Sequence, residues 1–360
     1  MKTRCLLQWS MILAVVIHYP VLGEVKFLKG PLSEAITRAD AEKKPVMIDF
    51  ITDWCRWCDT LDLHTYSDKN VAEFVNSNLV PIKIDAEKGE GIDIAKKYGV
   101  AAYPTIVVIK SNGDEIDRIL GYVPAEPFLK TITDYVHGRN TITSLQAELE
   151  KNPNDATLQY ALAEKFQDRN NAAKAAVHFQ RVLALDPNNS LGHNEEAQYA
   201  VALSTFRSSK DPSQLIAFVD QYPKSEMVRQ ALATIWRSYI KSKDGENARK
   251  YFLKTMVILP NDAGLMNNYA WGCAEEKINL EHASEVAQKA IELATKDGDR
   301  ASYLDTYATV EFARGNVEKA VTLEQQAMDL LKDAPPKTRK PYEESMAKFK
   351  AGSTAAKLKQ

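Results

Sequence analysis

The stretch Asp49-Phe50-Ile51-Thr52-Asp53-Trp54-Cys55-Arg56-Trp57-Cys58 decides how the chain is read. It closes an apolar run, residues 46–52 (VMIDFIT), of the length and β-branched content of a buried strand. A helical pattern follows over residues 58–66, so the two cysteines sit where a strand hands over to a helix. A cysteine at a helix start faces unpaired backbone N–H groups and the positive end of the helix dipole, which favours its thiolate. A second cysteine one turn on shares that helix face and can attack a disulfide formed by the first.

Working outward, helix and strand patterns alternate from about residue 25 to residue 137. An amphipathic segment covers 31–41. Strands are expected at 79–85 (LVPIKID), 105–110 (TIVVIK) and 115–120, and helices at 70–76, 92–98 and 127–136. Asn112-Gly113 supplies the positive φ angles of a tight hairpin turn between the last two strands. The pattern predicts one α/β domain over residues 24–140.

Beyond residue 140 the strands stop. Pro153, Pro187, Pro223 and Pro260 recur at intervals of 34 to 37 residues, three of them in the similar contexts KNPND, LDPNN and LPND. A helical period near 34 closed by proline marks a solenoid of helix-turn-helix repeats. The unit 156–189 matches the tetratricopeptide (TPR) pattern best, with Leu162, Ala163, Phe166, Ala175, Phe179 and Pro187 in their expected places. About five units fill residues 141–334. The second, 192–224, is degenerate. Residues 335–360 read as a capping helix, over 342–350, and a basic tail. An all-α TPR solenoid behind the α/β domain is therefore expected. His193 and His282 lie in this array with no partner at metal-ligand spacing, which reads as ordinary surface or satisfied polar positions.

The first 23 residues read as a signal peptide. Lys2 and Arg4 precede the apolar core MILAVVI, and Val21-Leu22-Gly23 offers small residues near a cut. The alternative is a retained N-terminal anchor. A span needs about 20 apolar residues, and Gln8, Ser10 and His18 interrupt this stretch. Export to the periplasm or the outer side of a membrane is the expectation. It leaves Cys5 outside the mature chain. Of the four cysteines, Cys5, Cys55, Cys58 and Cys273, only one pair is close, too few for a disulfide-stapled scaffold. Cys273, among small residues on a repeat helix, reads as a buried hydrophobe. A net charge of −2 gives a nucleic-acid partner no electrostatic support.

Residues 25–137 resemble the thioredoxin superfamily, and within it exported domains with a Trp-Cys-x-Trp-Cys centre. The resemblance rests on Asp49 six residues before Cys55, Trp54 before the pair, the strand 80–85, Tyr98-Gly99-Val100-Ala101-Ala102-Tyr103-Pro104-Thr105, and the glycines Gly113 and Gly121. It implies that Cys55 is the attacking thiolate, Cys58 the resolving thiol and Asp49 the buried group that relays its proton. It also implies that Pro104 is cis and packed over the sulfurs, that the Tyr103 backbone pairs with an extended substrate, and that Trp54 shields the disulfide. Arg56 and Trp57, between the cysteines, join Trp54, Tyr103 and Pro104 as expected substrate contacts.

Two departures stand out. Thioredoxins proper carry Gly-Pro where this chain has Arg56-Trp57, and a lysine where it has Asp59. Arg56 favours the thiolate and Asp59 opposes it.

The expected activity is thiol–disulfide exchange on disulfide-bearing proteins. It uses no cofactor beyond the redox-active Cys55–Cys58 pair and draws on an external thiol reductant. The TPR groove is expected to hold a peptide or protein partner. The rival readings are an envelope scaffold whose first domain is a non-catalytic docking module, a merely structural disulfide, and zinc held by Cys55, Cys58 and His64.

Overall fold

The computed structural model describes residues 23–357. The expected signal segment, apart from Gly23, and the last three residues of the tail lie outside them. Two compact units divide the chain, one through Ala175 and one from Ala176.

The first unit is built on a four-stranded sheet. Its elements run α1 (Leu32–Glu42), β1 (Val46–Ile51), α2 (Arg56–Leu61), a π-helical turn (Asp62–Tyr66), α3 (Lys69–Asn78), β2 (Val80–Asp85), α4 (Gly91–Lys97), β3 (Thr105–Ile109), β4 (Glu115–Leu120) and α5 (Ala125–Val136). The strand order is β2-β1-β3-β4. β1 pairs parallel with β2 and antiparallel with β3, which pairs antiparallel with β4.

Strand periodicity then sorts β1 between two cores. Val46, Ile48 and Phe50 enter a cluster with Leu32, Ala35, Ala39, Ala95 and Tyr98, under α1 and α4. Met47 enters the opposite cluster, with Leu61, Tyr66, Val71, Val75, Phe128 and Ile132. Asp49 shares the parity of Met47, so alternation places a carboxylate on that second, apolar face. The hairpin turn carries Gly113 at φ 85°, whereas Asn112 is not in the left-handed region, so the glycine alone supplies the positive φ expected of the pair.

The same unit continues into α6 (Ile142–Lys151) and α7 (Ala156–Gln167). Thr141 opens α6 with a capping box to Ser144. In Pro153-Asn154-Asp155 the aspartate caps α7, accepting from the backbone N–H groups of Thr157 and Leu158. A capping aspartate satisfies helix-start donors, typically worth about 1 kcal/mol.

α8 (Ala172–Leu185) bridges the division in sequence, and the second unit then runs through α9 (Asn194–Ser209), α10 (Ser213–Gln221), α11 (Val228–Lys241), α12 (Gly245–Ile258), α13 (Ala263–Glu276), α14 (Leu280–Leu293), α15 (Asp297–Ala313), α16 (Val317–Leu330) and α17 (Pro336–Lys357). Every element here is helical, as the 34-residue period predicts. Pro260-Asn261-Asp262 repeats the capping device, with Asp262 accepting from Leu265 N–H. Small residues at helix crossings, among them Ala248, Ala270, Ala283, Ala308 and Ala320, are fully buried. Between them Trp236, Phe252 and Tyr269 interlock, the last two stacked with ring centroids 3.9 Å apart. α17 is longer than the capping helix expected at 342–350. It starts at Pro336, a residue suited to a first helical position because its missing N–H costs nothing there. Its inner side is apolar, with Phe349 buried against Phe312.

Candidate active site

Cys55 is the N-cap of α2, and its Sγ accepts from the Cys58 backbone N–H at 3.1 Å. The cysteines are joined as a disulfide with their Cα atoms 5.3 Å apart. Each is only 5% exposed. The helix expected from residue 58 thus begins at Arg56, because a sulfur takes the capping role usually held by oxygen.

The neighbouring side chains are the opposite in character. Trp54 is 65% and Trp57 61% exposed, although tryptophan is ordinarily well buried. Neither swings freely. Trp54 donates through Nε1 to Glu87 at 2.9 Å and meets the Tyr103 ring edge-on, with centroids 5.9 Å apart. Trp57 stacks on Tyr122, with centroids 5.8 Å apart and ring planes inclined by 22°. Two aromatic pairs therefore flank the disulfide segment, each fixed to a different part of the fold. The Tyr103–Pro104 peptide bond is cis, Pro104 is buried and Tyr103 half-buried. Arg56 and Asp59 are both exposed beside the cysteines.

Asp49 sits on β1, almost wholly inaccessible, and its Oδ1 has no hydrogen-bond partner. Burial pushes its carboxyl up to about 7, Asp62 adds to the rise, and Lys83 and Tyr66 oppose it. Such a carboxyl can exchange a proton near neutral pH, the requirement for general acid–base work. The Tyr66 hydroxyl, buried beside these acids, is held far above its ordinary range by desolvation first and the Asp49 charge second.

Sequence reasoning did not find Glu87, Tyr122, Lys83, Asp62 or Tyr66. Lys83 alone had a usable signal: pairing β1 with β2 in parallel register sets it opposite Asp49. His64 is exposed on the π-helical turn. Among the described residues no group of three or more His, Cys, Asp and Glu side chains is placed to hold a metal. Cys273 is buried and unpaired, and burial pushes its thiol up to about 12.

Residues 32–135 match the family model of a thioredoxin-like domain. The thiol:disulfide interchange protein DsbD of Yersinia pestis is 36% identical over 95 residues, 26% of this chain and 16% of that protein. The match spans about a sixth of the length of the curated relative. The oxidised C-terminal domain of Neisseria meningitidis DsbD is 26% identical over 29% of this chain and 91% of that one, with a TM-score of 0.26. A thermophilic TPR protein of Thermus thermophilus is 16% identical over 54% of this chain and 100% of that one, with a TM-score of 0.32. The matched segment is thus similar in sequence to one part of a thiol:disulfide interchange protein, and the family model gives its fold. Residues 32–135 of this chain are a thioredoxin-like domain.

Proposed function

We propose that the chain is an exported thiol–disulfide oxidoreductase that exchanges disulfides with protein substrates, and that its helical repeats recruit a protein partner. The observation that carries this reading is the Cys55–Cys58 disulfide at the start of α2, set between two exposed and pinned tryptophans. A structural staple has no use for exposed aromatic surface, whereas a site that receives polypeptide does.

In the dithiol form Cys55, as thiolate, attacks one sulfur of a substrate disulfide. A Cys55–substrate bond forms, and the substrate's second sulfur leaves as a thiolate. Cys58 then attacks Cys55 Sγ, the internal disulfide closes, and the substrate's first sulfur departs. Two electrons pass from the enzyme dithiol to the substrate. An external dithiol must return them. Asp49 is the group proposed to take the Cys58 proton as that thiol becomes a nucleophile. Trp54, Trp57, Tyr103 and Pro104 form the surface that meets the substrate chain, with Arg56 beside them.

Trapping tests the proposal. A Cys58→Ser chain expressed in its native compartment should hold proteins as mixed disulfides through Cys55, released by dithiothreitol. Recovery of none, with the wild-type chain equally unable to reduce a protein disulfide, would favour the scaffold reading.

A further inference from the structure

The edge strand β4 carries three consecutive ladder positions that are unusual for a sheet rim. Asp117 is fully buried and Arg118 only 4% exposed, and Glu115 pairs with Arg118 at 2.5 Å. Their counter-charges come from the first repeat hairpin. Lys165 of α7 reaches Asp117 Oδ2 at 3.2 Å. Arg169, two residues past α7, reaches Glu115 Oε1 at 2.7 Å and Asp117 Oδ1 at 3.0 Å. Asp117 Oδ2 also accepts from the Ile142 backbone N–H, at the first residue of α6. Lys165 further donates to the Tyr135 hydroxyl at 2.6 Å, and that hydroxyl donates to the Arg118 carbonyl at 2.8 Å.

The network ends at the loop that carries the cis bond. Arg118 is gripped by both oxygens of Glu115, and its Nη2 donates to the Tyr98 carbonyl at 2.7 Å. Tyr98 is the last residue before loop 99–104. The other end of that loop is tied to β4 as well, through Gly121 N–H to the Pro104 carbonyl at 2.8 Å. Burying six charged or polar groups is a poor route to stability, because desolvation offsets most of the attraction. What such a network supplies is fixed geometry, since each partner has one satisfactory arrangement.

We propose that the hairpin α6–α7 is a strut of the redox site. Through Glu115 and Asp117, Lys165 and Arg169 hold Arg118 in place, and Arg118 holds loop 99–104 so that Tyr103 is presented correctly to a substrate chain. These are positioning residues; none touches the sulfurs. The proposal rests on the disulfide-exchange reading for its effect on catalysis, but not for its effect on the loop.

The experiment uses the full chain with Arg169→Ala, Arg169→Lys and Lys165→Met, each checked for native circular dichroism. Amide hydrogen exchange in residues 99–103 should rise in Arg169→Ala and return toward wild type in Arg169→Lys. KM for insulin should rise about tenfold in Arg169→Ala, while the rate on oxidised glutathione, which needs no extended pairing, stays within about twofold. If Arg169→Ala fails to fold, Lys165→Met carries the same two measurements. Unchanged exchange in a folded variant overturns the strut, whatever the activity. Equal losses on both substrates overturn the positioning role. A wild-type chain inactive on both substrates rejects the redox reading, and the exchange measurement still decides the strut.

Discussion

Lys83 stands directly opposite Asp49 in the parallel β1–β2 register, yet its ammonium is bound by both carboxylate oxygens of Asp62. It also lies over the Phe27 ring, 4.8 Å from the centroid. Lys83 lowers the proton affinity of the buried acid, but its direct ion pair is with Asp62, whose charge raises that affinity, so burial prevails. Asp49 keeps the elevated proton affinity that burial gives it, and the acid–base behaviour of the site follows from this three-way relationship.

The first expectation concerns stability. The folded pKa of Asp49 is about 7 against an ordinary value of 3.8, so the folded chain holds an extra proton between those limits. Stability from this group is therefore fully present below about pH 4, falls as pH rises through 7, and is then lost. Asp49→Asn should match the parent near pH 4 and exceed it above pH 7, by at most about 4 kcal/mol. Urea unfolding at both pH values checks this. The same variant should resolve mixed disulfides more slowly at neutral pH.

Asp62→Asn should act in the opposite sense on the proton. Releasing Lys83 toward Asp49, and removing a nearby negative charge, lowers the Asp49 pKa. The acid limb of the rate of Cys58 attack should move to lower pH by about one unit. Stopped-flow measurement between pH 5 and 8, a range that spans the raised Asp49 value of about 7, reads it directly. An unmoved limb would detach Asp62 and Lys83 from the relay.

The aromatic pairs give a third expectation. Trp57 is mostly exposed and stacks on Tyr122, so Trp57→Ala should change stability by no more than about 0.5 kcal/mol. Its effect should fall on binding. KM for a protein disulfide should rise about fivefold to tenfold, with little change for oxidised glutathione. Tyr122→Ala should follow it in the same direction, by less.

Cys273 supplies a negative control with a physical reason. Its thiol is buried against Tyr269 and pushed up to about 12, so almost no thiolate exists at neutral pH. Iodoacetamide should label the reduced native chain at Cys55 and leave Cys273 untouched until the second unit unfolds. Mass spectrometry of the labelled peptides decides it.

Much of the fold was legible because short-range chemistry specifies it. The apolar run 46–52 set the central strand, Asn112-Gly113 set the hairpin, and the proline-spaced PND segments set where repeat helices begin, through Asp155 and Asp262 as caps. The helix start at Arg56 was missed because cysteine is a rare cap. The π-helical turn at Asp62–Tyr66 was missed because its pattern over a few residues is that of an α-helix. Glu87, Tyr122 and Asp62 were invisible for a different reason: each acts through a side-chain contact across a long sequence separation. The ion network from Arg169 to Arg118 was hidden in the same way. The sequence marks residues 115–120 as a strand but carries no signal that Glu115, Asp117 and Arg118 meet Lys165 and Arg169.

The chemistry of Cys55 and Cys58 is the centre of the proposed exchange. The direct measurement is dithiothreitol-driven reduction of insulin by the wild-type chain, by Cys55→Ala and by Cys58→Ser, with mass spectrometry of the non-reduced products. Wild type should turn over, Cys55→Ala should show only the uncatalysed rate, and Cys58→Ser should accumulate a one-to-one Cys55–insulin adduct. Full activity in Cys55→Ala, or an adduct formed through any other cysteine, would contradict the account.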